Sequence, residues 1–383
     1  MKHHPTLAEI DLNAFSHNLQ QVRLRVGKER KIIAVAKADA YGHGAVEIAR
    51  RACTGGADML GVGNVEEGIE LREAGITAPI LILGGYLKDN EAKTISYNLK
   101  SVIYSYQTAL NLSMEAEKKG KEASVHIKID TGMGRIGIQP DKAKEFIGSI
   151  SSLKNIRIEG MLTHFASAYE RDRSFTEKQI NIFKQLIDEL RQNGYSFPLI
   201  HASNSAAILN YPDSYFNAVR PGIILYGSLP FEFPLPPLSP PYEGGEKEEV
   251  FKPVMSWKTE IIHINIVPEK TGISYGRRFI TERKSIIAAI PVGYADGLSR
   301  SLSNNVHVLV RGRRVSQVGT ICMDMCMIDV TDVPDVQIGD EVVMIGRQGN
   351  EEIKVEELAS IAGTIPYEIF CSIGKRVKRV YKF

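Results

Sequence analysis

The residues of this chain most able to do chemistry sit where short apolar runs give way to small residues. Lys37 closes the run Ile32-Ile33-Ala34-Val35-Ala36, and Tyr41, Gly42 and His43 follow at once. A lysine so placed is either a strand terminus reaching for water or a partly desolvated amine suited to Schiff-base chemistry. Thr131-Gly132-Met133-Gly134-Arg135 follows a later run. Its glycines are explained by a bare turn, and Arg135 reads more sharply as a carboxylate clamp. His164 ends Leu162-Thr163 and could equally be a satisfied core histidine. In Asn204-Ser205-Ala206-Ala207 either of the first two residues could cap a helix. Arg220-Pro221-Gly222-Ile223 follows the last run. The Ser205 hydroxyl and free N–H groups of Gly222 and Ile223 together offer an anion cup. A lysine after the first run and a phosphate cup after the seventh and eighth suggest pyridoxal phosphate.

Such residues need a scaffold that gathers strand ends. Strand candidates fall at 32–37, 59–63, 80–84, 101–104, 124–130, 157–164, 199–202 and 216–220, with helix-period stretches such as 65–74, 107–119 and 174–192 between them. Several runs are continuously apolar, which suits a parallel sheet buried on both faces. Eight such units predict an α/β fold, a TIM-type (β/α)8 barrel, whose reactive residues belong at the C-terminal strand ends. An open doubly wound sheet is the runner-up, although Tyr41-Gly42-His43-Gly44 lacks the dinucleotide-binding glycine pattern. Ahead of the barrel, 6–10 reads as a strand, then a helix with Phe15, Leu19, Val22 and Val26 on one face, ended by Gly27. The stretch 229–250 carries six prolines and an acidic, glycine-containing run, which reads as a linker. Beyond it, 254–266, 285–292, 306–311, 314–318, 325–330 and 341–345 read as strands of a mainly antiparallel β domain. The expected organisation is therefore a barrel at 11–228, a linker at 229–250 and a β domain at 251–383, with the strand of 1–10 packing against that domain.

Lysine and arginine total 47 against 45 acids, so nothing draws the chain toward nucleic acid or a membrane. The basic runs Arg311-Gly312-Arg313-Arg314 and Lys375-Arg376-Val377-Lys378-Arg379 are short and read as solvated strand faces. Cys53, Cys322, Cys326 and Cys371 are scattered, as in a protein with reduced thiols, and Cys322 and Cys326 lack the second pair a zinc site needs. No metal is expected. The opening residues lack the apolar core of an export signal, and no segment is apolar enough to span a bilayer, so the expected compartment is the cytoplasm.

At these residues the chain resembles the alanine racemase family. Ala34-Val35-Ala36-Lys37-Ala38-Asp39-Ala40-Tyr41-Gly42-His43-Gly44 is similar to the family's signature around its cofactor lysine. Blocks at 128–137, 161–166, 204–227, 272–277, 291–298, 319–324 and 366–368 follow in register, so the resemblance spans about 10 to 379. It implies that Lys37 carries pyridoxal phosphate and is one catalytic base. Tyr275 is implied as the other, supplied by the second subunit of a homodimer. Tyr41, Ser205, Gly222, Ile223 and Tyr367 match phosphate contacts, and Arg220 matches the residue facing the pyridine nitrogen. Arg135 matches a group near the cofactor's phenolic oxygen and the substrate carboxylate, and the Met323 backbone helps hold that carboxylate. Lys128 matches a lysine that some members carbamylate, and His164 beside Arg220 reads as a proton relay. Tyr294 and Tyr367 look like the tyrosines that narrow the channel to small substrates. The implied activity is interconversion of L- and D-alanine, supplying D-alanine for peptidoglycan.

Two rivals remain at this stage. A decarboxylase of the same architecture would place a carboxylate where Arg220 stands. A non-catalytic pyridoxal-phosphate carrier would have no need of a β domain bearing Tyr275.

Overall fold

A computed structural model of the chain describes residues 5–85, 88–230 and 250–383. The proline-rich stretch expected as a linker lies outside the described residues except for 229, 230 and 250. Eight parallel strands close into a barrel: β2 (Lys31–Val35), β3 (Met59–Val62), β4 (Ile80–Ile82), β5 (Lys100–Ile103), β6 (Ala123–Lys128), β7 (Ile156–Leu162), β8 (Leu199–His201) and β9 (Ala218–Val219). Closure is made by β2 against β9, where Lys31 faces Ala218 and Ile32 faces Val219. The open-sheet alternative is thereby excluded.

The interior splits into two apolar regions. Ile33, Met59, Leu81, Val102, Leu162 and Ala218, drawn from six strands, form a small cluster inside the barrel. The larger core lies outside it, between strands and helices. Helix α1 (Leu12–Val26) shows why its residues fold as they do: Asp11 caps it by accepting from the N–H groups of Asn13 and Ala14 at 2.8 and 2.9 Å. Phe15, Leu19, Val22 and Val26 are buried at helical spacing, and Gly27 stops the helix at a positive φ of 84°. Emptying the Phe15 site to alanine costs about 3–5 kcal/mol at a position of this burial.

The second layer is a mainly antiparallel sheet whose members include β1 (Leu7–Asp11), β10 (Met255–Glu260), β11 (His263–Val267), and β12 (Gly272–Ile273) with β13 (Phe279–Ile280) as a separate ribbon. It continues with β14 (Ser285–Ile290), β15 (His307–Val310), β16 (Arg313–Val318), β17 (Cys326–Asp329), β18 (Glu341–Gln348), β19 (Glu351–Ile353) and β20 (Lys378–Lys382). Strand β1 sits between β10 and β20, antiparallel to the first and parallel to the second. Thus the first strand of the chain leads directly from this sheet into the first helix of the barrel. Among the described residues, no helix is long and apolar enough to cross a membrane.

Three expectations need correction. The run 254–266 is two strands rather than one, because the chain breaks at Ile261 and Ile262 between β10 and β11. The barrel strands end earlier than their apolar runs suggest: β2 stops at Val35, β7 at Leu162 and β9 at Val219. Single backbone bonds continue just past these ends, from Ala36 N–H to the Gly61 carbonyl at 2.8 Å and from Thr163 N–H to the His201 carbonyl at 3.3 Å, before the chain turns into the barrel mouth. Finally, the run 375–379 is not wholly a solvated face. Arg379 is half-buried and donates through Nε to the Gly42 carbonyl at 2.9 Å, and also to the carbonyls of Ile373, Gly374 and Val377. It ties the sheet to the loop after β2.

Replacing Arg379 by alanine strands those carbonyls and should lower unfolding free energy by about 2 kcal/mol. Urea titration would show a lower midpoint; an unchanged one would mean that water replaces these bonds without cost.

Candidate active site

At the C-terminal mouth of the barrel lies a cleft of about 170 Å³. Lys37, Tyr41, Lys128, Arg135, His164, Ser205, Arg220, Gly222, Ile223 and Tyr367 line it, with Val35, Leu83, Ile136 and Leu162 as apolar wall. Tyr275, Tyr294 and Met323 are not among its lining residues. They stand 75 %, 43 % and 52 % exposed on the face of the β layer. The loop of 319–323 gathers them: Thr320 donates to the Tyr275 carbonyl at 2.8 Å, and Tyr294 N–H donates to the Cys322 carbonyl at 3.0 Å. One chain therefore presents two separate groups of the expected site residues.

Lys37 does not close a strand. It begins a turn in which Ala38, Asp39, Ala40 and Tyr41 all hold φ of 52° and ψ between 43° and 56°. Four consecutive non-glycine residues in the left-handed region cost roughly 1–2 kcal/mol each. The neighbours overdetermine this conformation. Both oxygens of Glu67 accept backbone N–H groups, from Ala38 at 2.9 Å and Gly63 at 2.6 Å. Asp39 accepts from Ala45 N–H at 2.7 Å, and Arg379 grips Gly42 from the β layer. The result turns Lys37 and Tyr41 into the same cleft. Withdrawal from bulk water, then the charge of Arg135, lowers the Lys37 pKa, while Glu67 and Cys371 oppose the shift. A larger fraction of neutral amine is what a nucleophilic or basic lysine needs.

Tyr41 packs against Tyr226 and Tyr367 at ring separations of 4.8 and 5.7 Å. Burial raises its pKa strongly, so its phenol stays a donor. Across from it, Asn204 caps the helix at Ser205–Asn210 through Ala207 N–H at 3.0 Å, which settles which residue is the cap. Ser205 then projects its hydroxyl, which accepts from Gly222 N–H at 2.9 Å. The Gly222 N–H is therefore not free, as the sequence suggested, but held against the hydroxyl. A Cβ on Gly222 would stand 2.6 Å from Tyr41 Oη. Only glycine leaves this cradle open, and its donors suit a phosphate.

Arg220 is buried at the floor. Nη1 donates to His201 Nδ1 at 2.7 Å and the His201 carbonyl at 2.9 Å. Nη2 donates to the carbonyls of Thr163 and Ala202, each at 2.8 Å, and to His164 Nδ1 at 3.3 Å. Burial pulls its pKa down to about 9, which still leaves it charged at neutral pH. Lys128, also buried, is pushed well below the ordinary lysine range by burial and by Arg220 and Arg135. His164 is pushed down by burial and the same cations. The guanidinium charges of Arg220 and Arg135 make this cleft attractive to anions. Among the described residues no acidic or histidine cluster could hold a metal ion.

Sequence reasoning missed Glu67, His126 and His201. An acid in the first turn of a helix reads as a dipole complement. Nothing in the sequence shows that Glu67 reaches back to Ala38 and Gly63. The two histidines sit inside strands, where a core role is the default reading.

Two family profiles match the chain: "Alanine racemase, N-terminal domain" over residues 10–230 and "Alanine racemase, C-terminal domain" over 254–381. An alanine racemase of Halothermothrix orenii is 47% identical over 378 residues, covering 99% of this chain and 97% of the relative. One from Methanococcus maripaludis is 44% identical, with both chains covered in full. Among solved structures, alanine racemase of Clostridium difficile 630 superposes with a TM-score of 0.91 at 41% identity, covering 99% of this chain and 96% of that one. The Bacillus anthracis enzyme with bound L-Ala-P also gives 0.91, at 35% identity and coverage of 100% and 96%.

His43, His126 and His201 are fully buried, and burial first of all lowers each pKa, for His43 to about 3. With His164 they resist protonation when folded, yet titrate near ~6.5 when unfolded. The unfolded chain then binds more protons in acid, so stability is complete above about pH 6.5 and is lost as pH falls below it. Urea midpoints at about pH 7.5 and about pH 5.5 check this; a midpoint that rose in acid would contradict it.

Proposed function

The chain belongs to the alanine racemase family, and from that membership we propose that it interconverts L-alanine and D-alanine with pyridoxal phosphate, using one base on each face of the substrate. The observation that carries this reading is the cleft itself, where a depressed-pKa lysine, a glycine-lined phosphate cradle and a buried arginine converge. In the proposed arrangement Tyr41, Ser205, Gly222, Ile223 and Tyr367 hold the phosphate, Lys37 holds the aldehyde carbon, and Arg220 faces the ring nitrogen. Bound there, pyridoxal phosphate supplies an electron sink that makes the α-hydrogen of an attached amino acid acidic.

The residues of the chain do the rest. Arg220 has both terminal nitrogens engaged by carbonyls and imidazoles, which leaves Nε as the donor toward the cleft. A guanidinium only donates, so it keeps the nitrogen it faces unprotonated and limits how far charge is drawn into the ring. That restraint favours prompt reprotonation over side reactions, and it speaks against the decarboxylase chemistry that a carboxylate at this place would serve. Arg135 and the Met323 backbone orient the substrate carboxylate. Lys37 takes or returns the α-proton on one face. Tyr275 does so on the other, and His164, touching Arg220, relays its proton. Lys128 is a buried amine whose pKa is pushed down by burial and by Arg220 and Arg135, which favours the neutral form that takes up carbon dioxide, and as a carbamate it would brace Arg135.

Because Tyr275, Tyr294 and Met323 face outward on their own chain, the proposed site is shared in a homodimer, each β layer completing its partner's barrel mouth. Tyr294 and Tyr367 then narrow the approach to small amino acids. We further infer that the division into barrel, linker and β domain follows residues 11–228, 229–250 and 251–383. The proposed setting is the cytoplasm, where D-alanine enters peptidoglycan precursors.

The test is solvent-deuterium exchange with L-alanine, read by optical rotation and by loss of the α-proton NMR signal, beside Tyr275→Phe. Racemisation with deuterium uptake is expected, falling at least about a hundredfold in the variant, as removal of a general acid–base group implies. Cofactor binding with neither rotation nor exchange would overturn the reading.

A further inference from the structure

Below the cleft, the barrel interior is apolar on one side and polar on the other. His126 lies two residues before Lys128 on β6, His201 ends β8, and Lys100 stands two residues before Val102 at the start of β5. His126 reaches across β7 to His201, with Nδ1 to Nε2 at 2.8 Å. This crossing is open because Gly160 lies between them: a Cβ there would come within 2.5 Å of His126 Nδ1. The β6–β7 register shifts there, from Val125 opposite Ile158 to His126 opposite Gly160, which skips Glu159 and sets the ring over that gap. On its far side His126 Nε2 is buried without a hydrogen-bond partner and stands 3.8 Å from a Glu159 carboxylate oxygen. Glu159 is ion-paired with Lys100, and the two side chains are only 13 % and 16 % exposed.

Proton positions along this row are not independent. Arg220 Nη1 can only donate, so His201 Nδ1 must accept, and the His201 proton sits on Nε2. His126 Nδ1 must then accept that proton, which puts its own on Nε2, toward Glu159. The alternative arrangement reverses both rings. His126 would donate to His201, and His201 Nδ1–H would confront the Arg220 N–H, donor against donor. One arrangement holds the guanidinium and the other repels it. Burial raises the Glu159 pKa, yet the opposing pull of His126 and Lys100 brings it down to about 2, so it is anionic at neutral pH.

We infer that the Lys100–Glu159 pair at the N-terminal end of the barrel is a positioning device for Arg220, selecting through His126 and His201 the tautomers that present an acceptor to the guanidinium. The effect on turnover rests on the proposed role of Arg220, whereas the tautomers themselves do not. Glu159 touches no reacting atom and acts only through the two imidazoles.

The experiment uses the full chain loaded with pyridoxal phosphate and labelled with 15N at histidine, with imidazole tautomers read from long-range 1H–15N correlations. Both rings should carry the proton on Nε2 in the unaltered protein. The double variant Lys100→Met, Glu159→Leu removes the carboxylate without leaving a lone buried charge. In it the His126 bias toward Nε2–H is lost, so both imidazole patterns should become mixed or reversed in the fraction of molecules where Arg220 has left His201 Nδ1, and kcat should fall about tenfold with KM for alanine changed less than about twofold. Lys100→Met, Glu159→Gln keeps an acceptor oxygen and should restore both the Nε2–H pattern and most of kcat. An Nδ1–H or doubly protonated ring at either position in the unaltered protein would overturn the inference, so a variant that failed to fold could not shield it. Unchanged tautomers in the double variant would overturn it equally. If the unaltered protein does not racemise alanine, the function proposed above fails while the tautomer readout still decides this one.

Discussion

The buried guanidinium of Arg220 is the constraint around which the rest of the structure is arranged. An arginine with 5 % of its surface exposed cannot be left unpaired, and the barrel answers with carbonyls of Thr163, His201 and Ala202 and with two imidazoles. Two of those carbonyls, Thr163 and Ala202, lie just past the ends of β7 and β8, while the third belongs to the last residue of β8 and also accepts the Thr163 N–H at 3.3 Å. The strand ends and the buried cation thus meet at one place. Burial, and after it this cation, depresses the pKa of Lys128, His164 and His201.

The strain at 38–41 is the second feature that only tertiary context can sustain. Four left-handed residues would unwind if left alone, and their total cost of roughly 4–8 kcal/mol is comparable with the stability of an ordinary domain. Glu67 and Asp39 hold the turn from the barrel side, and Arg379 holds it from the β layer. The lysine and the phosphate-cradle tyrosine are consequently positioned by contacts from both layers. Loosening the contact between the layers would shift Lys37 and Tyr41 together.

The sequence made the barrel legible because burial on both faces leaves a strong mark, continuous apolar runs punctuated by glycine. The same signal overran the strand ends, since apolar residues at 36, 129 and 202 stay buried where the chain leaves the regular strands. Most cleft residues were legible because each follows a strand and carries unusual chemistry. The left-handed turn was not, because Ala38, Asp39 and Ala40 have no feature that encodes a positive φ; neighbours dictate it. His126 and His201 were invisible for a related reason. Their meaning lies in a contact across β7 that exists only because Gly160 lacks a side chain. The role of Tyr275 was reached through family resemblance alone, and its exposure on a single chain shows why periodicity and burial could not have singled it out.

A barrel mouth offers catalytic groups from one direction. Strand ends encircle the cleft and line it from below and from the rim, so on the proposed reading a flat ligand lying there would have one face turned away from the barrel. A reaction that removes a proton from one face of a carbon and returns it to the other needs a second group above that plane. Tyr275 and its neighbours do not line the cleft but sit on the β layer, held by the turn at Thr320 and Gly319. On the proposed reading this geometry makes dimerisation part of the chemistry. A lone chain could bind the cofactor and hold one base. On the same reading inversion requires the phenol of another copy, and the outward-facing group of Tyr275, Tyr294 and Met323 consists of residue types enriched at protein interfaces.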